Sequence, residues 1–299
     1  MKLKVHPSKS IYLLLLLAYI ITFTVAGKAQ TATFQVMTFN IRYPNPNDGF
    51  NYWPNRKELA ASMIRFHEAD IVGVQEAYRS QLQDLTQQLP GYKWYGVCRT
   101  DGATDPEPDG EFSAIIYRSD RFQLVSGNTF WLSEHPKEVG KAGWDAALPR
   151  IVTWAKFRDK QTQQEFFFFN THFDHMGQKA RAESARLIRE QIATIAGNAP
   201  VILTGDFNAI PTEPPYRIIT DEEAKDHLQD ALYLSQQPHH GPMGTWTNAF
   251  QFPGVPDRRI DYIFVKNGFK VLKHANLSDS WSGRLPSDHL PVLARVELE

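Results

Sequence analysis

Apolar residues recur along the chain with two different periods. Over residues 55–67 and 178–196 they follow the spacing of an amphipathic helix, with Leu59, Met63 and Phe66 on one side of the first. Shorter apolar stretches bounded by turn residues predict strands over 34–41, 70–75, 92–97, 112–117, 122–125, 151–157, 166–170, 201–205, 259–265 and 291–298. Strands and helices in this order predict an α/β protein.

The strand over 166–170 begins with four consecutive phenylalanines. A strand whose apolar residues do not alternate has both faces covered, which is typical of a central strand in a layered α/β protein. The polar sequence that follows this strand contains His172, Asp174 and His175. We therefore expect these side chains to emerge from the core at an opening in the surface.

The first 29 residues carry a different pattern. Lys2, Lys4 and Lys9 precede an apolar stretch over 11–26, and Gly27-Lys28-Ala29 offers small residues for cleavage. This predicts a signal peptide over 1–29, a catalytic domain over 30–299, and export to the periplasm or the medium. The alternative is an uncleaved anchor, but a bilayer span needs about 20 apolar residues, so we expect no membrane span after cleavage.

Charge and cysteine content argue against some classes of protein. Cleavage after residue 29 would remove four lysines and no acid, which leaves 28 basic and 33 acidic residues. Proteins that scan nucleic acid usually carry a basic surface, so no strong nucleic-acid footprint is expected. The one cysteine, Cys98, excludes an intrachain disulfide and is expected to be a small buried apolar residue.

Polar residues repeatedly follow the apolar stretches. Each of them alone fits ordinary turn chemistry, but their repetition indicates one site assembled at strand ends. An acid also lies near the start of the strand over 259–265, and an acid and a histidine lie near the end of the chain. The residues concerned are Asn40, Glu76, His172, Asp206, Asn208, Asp261, Asp288 and His289.

The chemistry of these residues points to a hard cation. Carboxylate and amide oxygens are the ligands that Mg²⁺ prefers, and it commonly bridges protein acids to phosphate, so Mg²⁺ (or Mn²⁺) is the expected cofactor. A closed zinc site would need cysteines or clustered histidines and is the weaker interpretation. His172 and His289 remain for proton transfer or for donation to phosphate oxygens.

Six motifs, in this order, resemble the endonuclease/exonuclease/phosphatase superfamily of deoxyribonuclease I-like metal-dependent phosphohydrolases. The resemblance covers essentially all of the chain after residue 29 and suggests an exported bacterial-type member. It implies a four-layer α/β/β/α sandwich with two facing, mostly antiparallel sheets flanked by helices. The motifs are Thr38-Phe39-Asn40-Ile41-Arg42, Gln75-Glu76, Asn170-Thr171-His172, Gly205-Asp206-Phe207-Asn208, Arg259-Ile260-Asp261-Tyr262 and Ser287-Asp288-His289.

The resemblance also implies ligands for the metal and a position for the water. Glu76 would be the principal metal ligand, helped by Asn40 and by Asp288 through water. Asp206 and Asn208 would position or activate the attacking water. Which group takes the proton of that water is left open between Asp206 and His289.

The remaining roles concern the histidines and the phosphate. His289, oriented by Asp261, resembles the general base or phosphate-binding histidine of the superfamily, and His172 would stabilise the transition state or protonate the leaving oxygen. Tyr117 and Arg150 are candidate substrate-phosphate contacts, although a tyrosine at a strand end is often structural and an arginine is often a surface residue.

The predicted activity is metal-dependent hydrolysis of a phosphoester. The substrate would be a phosphodiester or phosphomonoester of a small molecule, a lipid or a nucleotide, and the acidic balance favours a small or lipid-linked substrate. Two alternatives stay open. One is an extracellular nuclease, and the other is a glycan- or lipid-binding protein that keeps the scaffold without turnover.

Overall fold

The computed structural model of the protein describes residues 1–2, 31–251 and 257–299. The predicted signal peptide over 1–29 therefore lies outside the described residues, apart from its first two. No helix within the described ranges is long and apolar enough to cross a membrane.

The strands of this part of the chain, in chain order, are β1 (Ala32–Asn40), β2 (Ile71–Gln75), β3 (Ala77–Tyr78), β4 (Tyr92–Tyr95), β5 (Glu111–Phe112), β6 (Ile115–Arg118), β7 (Phe122–Trp131), β8 (Ile151–Asp159), β9 (Glu165–His172), β10 (Val201–Asp206), β11 (Gln229–Asp230), β12 (Asp261–Lys266), β13 (Phe269–Asn276) and β14 (Val292–Leu298). The α-helices are α1 (Trp53–Phe66), α2 (Arg79–Gln88), α3 (Gln178–Ala196), α4 (Pro214–Ile219) and α5 (Ala231–Leu234), and a 3₁₀ helix spans Pro46–Asn51.

Two six-stranded sheets form the centre of the molecule. The first has the order β13-β14-β1-β2-β6-β4 and the second the order β11-β12-β10-β9-β8-β7. Only the pairs β1–β2 and β9–β10 are parallel among the paired strands of these two sheets. The two strands of each parallel pair therefore end at the same edge of their sheet. Polar side chains lie at the end of each of these four strands or directly after it.

Three apolar clusters show how the layers stack. Phe34 and Val36 of β1 meet Phe166 and Phe168 of β9 between the sheets. On the outer faces, α1 and α2 pack against the first sheet, and α3 and α4 pack against the second. This arrangement confirms the predicted four-layer α/β/β/α sandwich, and it also covers both faces of the phenylalanine strand.

The buried face of α1 matches the predicted one only in part. The helix buries Met63, as expected, and also Ala60, Ala61 and Ile64, whereas Phe66 is 76% exposed. Small alanines lie at the contact between helix and sheet, so the buried face is turned away from the one that the large apolar residues indicated. Cys98 is fully buried, as expected.

The faces between the sheets change from apolar to polar along each strand. Because side chains alternate across a strand, Phe34, Val36, Thr38 and Asn40 of β1 all point toward the second sheet. The first two belong to the apolar cluster between the sheets, and the last two are fully buried polar residues. Strands β9 and β10 change in the same direction, so one edge of the interface is polar.

Candidate active site

A buried polar layer separates the phenylalanines from the cavity. Gln75 Nε2 donates to Thr38 Oγ1 at 3.0 Å and to Asn170 Oδ1 at 2.6 Å, and Thr204 Oγ1 donates to the same Asn170 oxygen at 3.0 Å. Gly73 lies opposite this layer, and a Cβ atom there would overlap Thr204 Oγ1 and Asn170 Oδ1. The missing side chain at Gly73 lets the two sheets approach each other closely.

Asp206, the last residue of β10, lies at the centre of the site. Its Oδ2 accepts a hydrogen bond from Asn40 Nδ2 at 3.0 Å and lies 3.4 Å from His172 Nε2 and 3.8 Å from His289 Nε2. Its Oδ1 accepts from the backbone N–H of Asn208 at 2.9 Å. One carboxylate therefore connects residues that are up to 249 positions apart in the sequence.

Glu76 enters the site through an unusual backbone conformation. It follows β2 directly and has a φ of 56°, in the left-handed region that few non-glycine residues occupy. Its Oε1 accepts from Asn40 Nδ2 at 3.1 Å and its Oε2 accepts from the backbone N–H of Tyr43 at 3.1 Å. Asn208, with a φ of 46°, shows the same feature. Such strain concentrates at functional sites, where the surrounding structure holds it in place.

The segment before β14 supplies the second histidine. Ser287 Oγ donates to the backbone carbonyl of Asn40 at 2.6 Å, which fixes the segment to the end of β1. His289 Nδ1 bonds Asp261 Oδ2 at 2.9 Å, so that Nε2 is the ring atom on the cavity side. Asp288 lies on the other side of the segment, with Oδ2 4.0 Å from Arg42 Nη1.

The buried acids at this edge affect each other's protonation. Burial, together with the charge of Asp261, raises the pKa of Asp206 to about 7. Burial and the charge of Glu76 also raise the pKa of Asp288. Burial opposes the charged form of His289, but the charges of Asp261 and Asp206 outweigh it and hold the pKa of the ring well above its ordinary value. The edge thus concentrates negative charge that a cation would stabilise.

His172 and Arg150 face the same cavity from the second sheet. Burial and the charge of Arg150 hold the pKa of His172 well below its ordinary value, so the ring is neutral. Asn208 Nδ2 lies 3.1 Å from His172 Nε2. Arg150 is held by Asp174, with Nε 3.4 Å from Oδ2, and by His175, with Nη2 3.1 Å from Nδ1. Its buried Nη1 has no hydrogen-bond partner within the described chain, so this group can serve an anionic ligand.

A cavity of about 600 Å³ lies at this edge of the two sheets. Its volume is typical of small-molecule sites. Two other cavities are larger, at about 670 and 780 Å³. Neither of those contains three acidic, histidine or cysteine ligands close enough to share a metal ion, as far as the described residues go. The smaller cavity is therefore the candidate active site.

The donor set at this cavity fits a divalent cation. Asp206, Asp261 and His289 each place one ligand atom within 4.8 Å of the others, and all three are buried. Asp261 Oδ1 is a buried acceptor without a hydrogen-bond partner in the described part of the chain. Glu76 Oε1 and Asp206 Oδ2 both accept from Asn40 Nδ2, which brings a further carboxylate oxygen close to this group. Oxygen-rich, negatively charged surroundings of this kind are those that Mg²⁺ and Mn²⁺ bind.

The structure brings most of the predicted site residues together but not Tyr117. That side chain is 6% exposed and packs between the sheets, with its ring centroid 4.9 Å from that of Phe157. It pairs with Ile71, about 13 Å along β2 from the edge that carries Gln75. Tyr117 does not reach the site because β6 runs antiparallel to β2, so that its carboxyl end points away from the edge that carries Gln75. Two predicted residues, Asn40 and Asp261, lie behind the cavity and bond Asp206 and His289. The predicted residues that line it are Glu76, Arg150, His172, Asp206, Asn208, Asp288 and His289.

Several cavity residues were not predicted from the sequence. Arg42 belongs to a quoted motif but received no role, and it pairs with Asp48 at 3.0 Å while facing Asp288. Arg99 and Glu111, paired at 2.7 Å, come from loop and short-strand positions that no apolar stretch marks. Arg181 could have been identified from the sequence, because it is a charged residue on the apolar face of α3, four positions before the buried Ala185.

Comparison with solved structures places this geometry among known proteins. A solved endonuclease/exonuclease/phosphatase from Bacteroides vulgatus is 41% identical, with 90% of this chain and 100% of that chain covered and a TM-score of 0.84. A mannosyl-6-phosphatase from Bacteroides thetaiotaomicron is 39% identical, with 88% and 99% covered and a TM-score of 0.80.

Among curated proteins, Nocturnin from Drosophila melanogaster is 28% identical over 296 residues, which cover 84% of this chain and 44% of Nocturnin. The chain spans about half the length of the curated relatives it matches, between 44% and 59% for three of them. The model of the Endonuclease/Exonuclease/phosphatase family matches residues 37–289. The chain therefore belongs to the Endonuclease/Exonuclease/phosphatase family.

Proposed function

We propose that this chain is a phosphatase that removes a phosphate group from a small polar molecule such as a sugar phosphate, with Mg²⁺ or Mn²⁺ as cofactor. The observation that carries the proposal is the presence of both kinds of charge around one cavity. Buried acids that suit a divalent cation line it together with Arg150, whose Nη1 has no hydrogen-bond partner in the described part of the chain. A phosphate group between them would contact the cation and the guanidinium at once.

The other arginines of the cavity favour a monoester over a diester. Arg42, Arg99 and Arg181 also line the cavity and are largely buried. A phosphomonoester carries up to two negative charges at neutral pH, whereas a diester carries one, so buried cations favour the monoester more strongly. The likeness to the mannosyl-6-phosphatase over nearly its whole length supports the same substrate class.

The metal ligands we propose are Asn40, Glu76 and Asp288, the last through water. A bound divalent ion would supply Lewis-acid stabilisation of the charge that develops on the phosphoryl oxygens. Burial, and to a lesser extent repulsion from the neighbouring acids Asp261 and Glu76, raises the pKa values of Asp206 and Asp288. This repulsion supports a cation at the site.

The remaining residues would act on water and phosphate. Asp206 and Asn208 would position the attacking water, because Asp206 Oδ2 lies between the two histidines. Asp261 holds His289 Nδ1 at 2.9 Å, which leaves Nε2 to bind a phosphoryl oxygen or exchange a proton. His172 lies on the opposite side of Asp206, in position to stabilise the leaving oxygen. Donors fixed in advance in this way lower the barrier to hydrolysis.

A nuclease is the second candidate, because the matched family includes endonucleases and exonucleases by its description. The size of the cavity and the absence of a net basic composition favour the small substrate. The non-catalytic binding protein is the weakest alternative, since the chain belongs to an enzyme family and keeps each metal-ligand and histidine position of the six motifs.

A substrate panel tests the proposal. Purified protein with Mg²⁺ or Mn²⁺ is assayed for phosphate release from sugar 6-phosphates and a chromogenic monoester, and for cleavage of a chromogenic diester, sphingomyelin and single-stranded RNA. We expect turnover of the monoesters that EDTA abolishes and that His289→Ala lacks. Cleavage of RNA or of a diester at a much higher kcat/KM than any monoester would reject the phosphatase in favour of the second candidate.

Export is part of the proposal and is supported by the sequence pattern over 1–29 alone. Expression of the full chain in a bacterial host, followed by mass spectrometry of the protein from the periplasm and the medium, tests it. We expect a mature N-terminus near Gln30. Retention of the intact chain in the cytoplasm would contradict export without affecting the proposed activity.

A further inference from the structure

Arg56 is a buried guanidinium that the proposed chemistry does not use. It lies in the first turns of α1, is fully buried, and has its guanidinium carbon 5.0 Å from the centre of the Trp53 ring. Burial lowers the pKa of Arg56 to about 10. A buried charge is costly, and a well-packed apolar residue is often at least as stabilising, so its presence calls for another explanation.

The contacts of Arg56 join two segments that carry site residues. All four of its hydrogen bonds within the described chain go to backbone carbonyl oxygens. Nη1 donates to Ile41 and, at 3.1 Å, to Pro286, and Nη2 donates to Arg42 at 2.7 Å. Nε donates to Asn51 at 2.7 Å. Ile41 and Arg42 directly follow Asn40, and Pro286 lies two residues before Asp288.

We propose that Arg56 is a positioning residue that fixes the end of β1 and the segment 286–289 at the spacing the metal ligands need. This inference rests on the proposed function, because it takes Asn40, Glu76 and Asp288 as the ligands. One Nη1 atom of the planar guanidinium donates hydrogen bonds to both segments, which an aliphatic side chain cannot do. Ser287, through its bond to the Asn40 carbonyl, also links these segments.

Arg121 provides a matched control, because its guanidinium binds the opposite end of β1. Its guanidinium is also largely buried, at 12% exposure, and its Nη2 donates to the backbone carbonyl of Thr33 at 2.7 Å. Thr33 lies on β1 seven residues before Asn40, at the opposite end. Arg121 also pairs with Asp70 and Asp159, each at 3.2 Å. Replacing it should disturb β1 and lower stability without affecting the site.

The test compares Arg56→Lys with Arg121→Lys in the full-length protein. Metal-stripped samples are titrated with Mn²⁺ by calorimetry, and amide hydrogen exchange is measured over 40–43 and 286–289. We expect Arg56→Lys to bind Mn²⁺ about tenfold more weakly and Arg56→Met more weakly still, because residues that orient metal ligands typically contribute 10–100-fold to affinity. Exchange over both segments should accelerate. Arg121→Lys should bind Mn²⁺ like the wild type, with both segments unchanged.

Two results would overturn the inference. In the first, Arg56→Lys matches the wild type in both Mn²⁺ affinity and amide exchange. In the second, Arg121→Lys loses as much Mn²⁺ affinity as Arg56→Lys, which would mean that the loss reflects lower stability in general. If Arg56→Met does not fold, Arg56→Lys alone decides. If the wild type itself does not bind Mn²⁺, the proposed metal chemistry fails, and exchange over the two segments alone decides the role of Arg56.

Discussion

The two ends of the interface between the sheets are built from the same strands and differ in almost every physical respect. At one end, Phe34, Phe122, Phe157 and Phe166 pack with ring centroids 5.1–6.1 Å apart. At the other end, the same faces carry the polar side chains of the candidate site. We call these the phenylalanine end and the catalytic end.

The difference shows how one fold separates stability from function. Burying aromatic rings at the phenylalanine end stabilises the folded state, because apolar area leaves water and the rings fill space. Burying Asp206 and Asp288 at the catalytic end has the opposite tendency, since burial raises their pKa values. Residues two or four positions apart on one strand thus have opposite effects on the stability of the folded state. Substitutions at the phenylalanine end should lower the free energy of unfolding, and substitutions at the catalytic end should lower turnover.

The largest effect on stability is expected from Phe166→Ala. The ring is fully buried between the sheets, so its loss removes apolar burial and leaves a cavity. Such substitutions typically cost about 3–5 kcal/mol of unfolding free energy. Chemical denaturation should show this loss, while kcat of the remaining folded protein on a competent substrate stays near that of the wild type. A large fall in kcat at a temperature where the variant is folded would mean that the two ends are coupled.

Glu76→Gln should show the reverse pattern. We expect kcat/KM to fall by about 10²–10³-fold, the usual loss when one preorganised group of a charged site is removed, with no loss of unfolding free energy. Asp120→Asn is the control, because that carboxylate is exposed and pairs with Arg118 on the surface. Normal turnover by Glu76→Gln, or an equal loss in Asp120→Asn, would remove Glu76 from the site.

The sequence predicted the catalytic end well because that end is made of short-range patterns. A polar residue directly after an apolar strand is visible without knowledge of the partners, as Asn40, His172 and Asp206 illustrate. The predicted bounds of α3 coincide with the observed ones, Gln178–Ala196, since its apolar spacing is regular and Gly197 ends it. Parallel pairing of β1 with β2 and of β9 with β10 then brought the strand ends together.

Features that depend on tertiary pairing were missed. Strand β13 was not predicted because the register shifts between Val271 and Lys273, which breaks the alternation of apolar residues. Tyr117 was misplaced because the sequence does not show that β6 pairs with β2 in the antiparallel direction, which carries Tyr117 away from the site. Arg56 was overlooked, since its partners are backbone carbonyls that side-chain patterns do not reveal.

Gly73→Ala tests the layer between the two ends. Its Cβ would overlap side-chain oxygens of Thr204 and Asn170, which are held in a hydrogen-bonded network between two sheets. We expect a loss of about 3 kcal/mol of unfolding free energy, the upper part of the range for overpacking. Gly73 lies inside β2 and has no positive φ, so overlap alone would cause this loss. A loss below about 1 kcal/mol would show that the sheets can separate to accept the methyl group.

The smallest effect concerns Asp174, a carboxylate of the catalytic end that stabilises the fold. Burial opposes its charge, but backbone N–H groups of Gly177, Ala147 and Met176 outweigh it and lower the pKa of Asp174 to about 2. A folded-state pKa below the ordinary 3.8 means that the stabilisation is fully present above that value and is lost as the pH falls toward 2.

We therefore expect Asp174→Asn to lower the unfolding free energy by about 1–2 kcal/mol at pH 6, allowing for partial screening near the cavity. The gap to the wild type should narrow progressively between pH 4 and pH 2, where the wild-type carboxyl group also becomes neutral. Urea denaturation of both proteins at pH 6 and pH 2.5 measures the gap. A gap of the same size at both pH values would show that the shape of the hydrogen bonds, rather than the charge of Asp174, holds this loop against the start of α3.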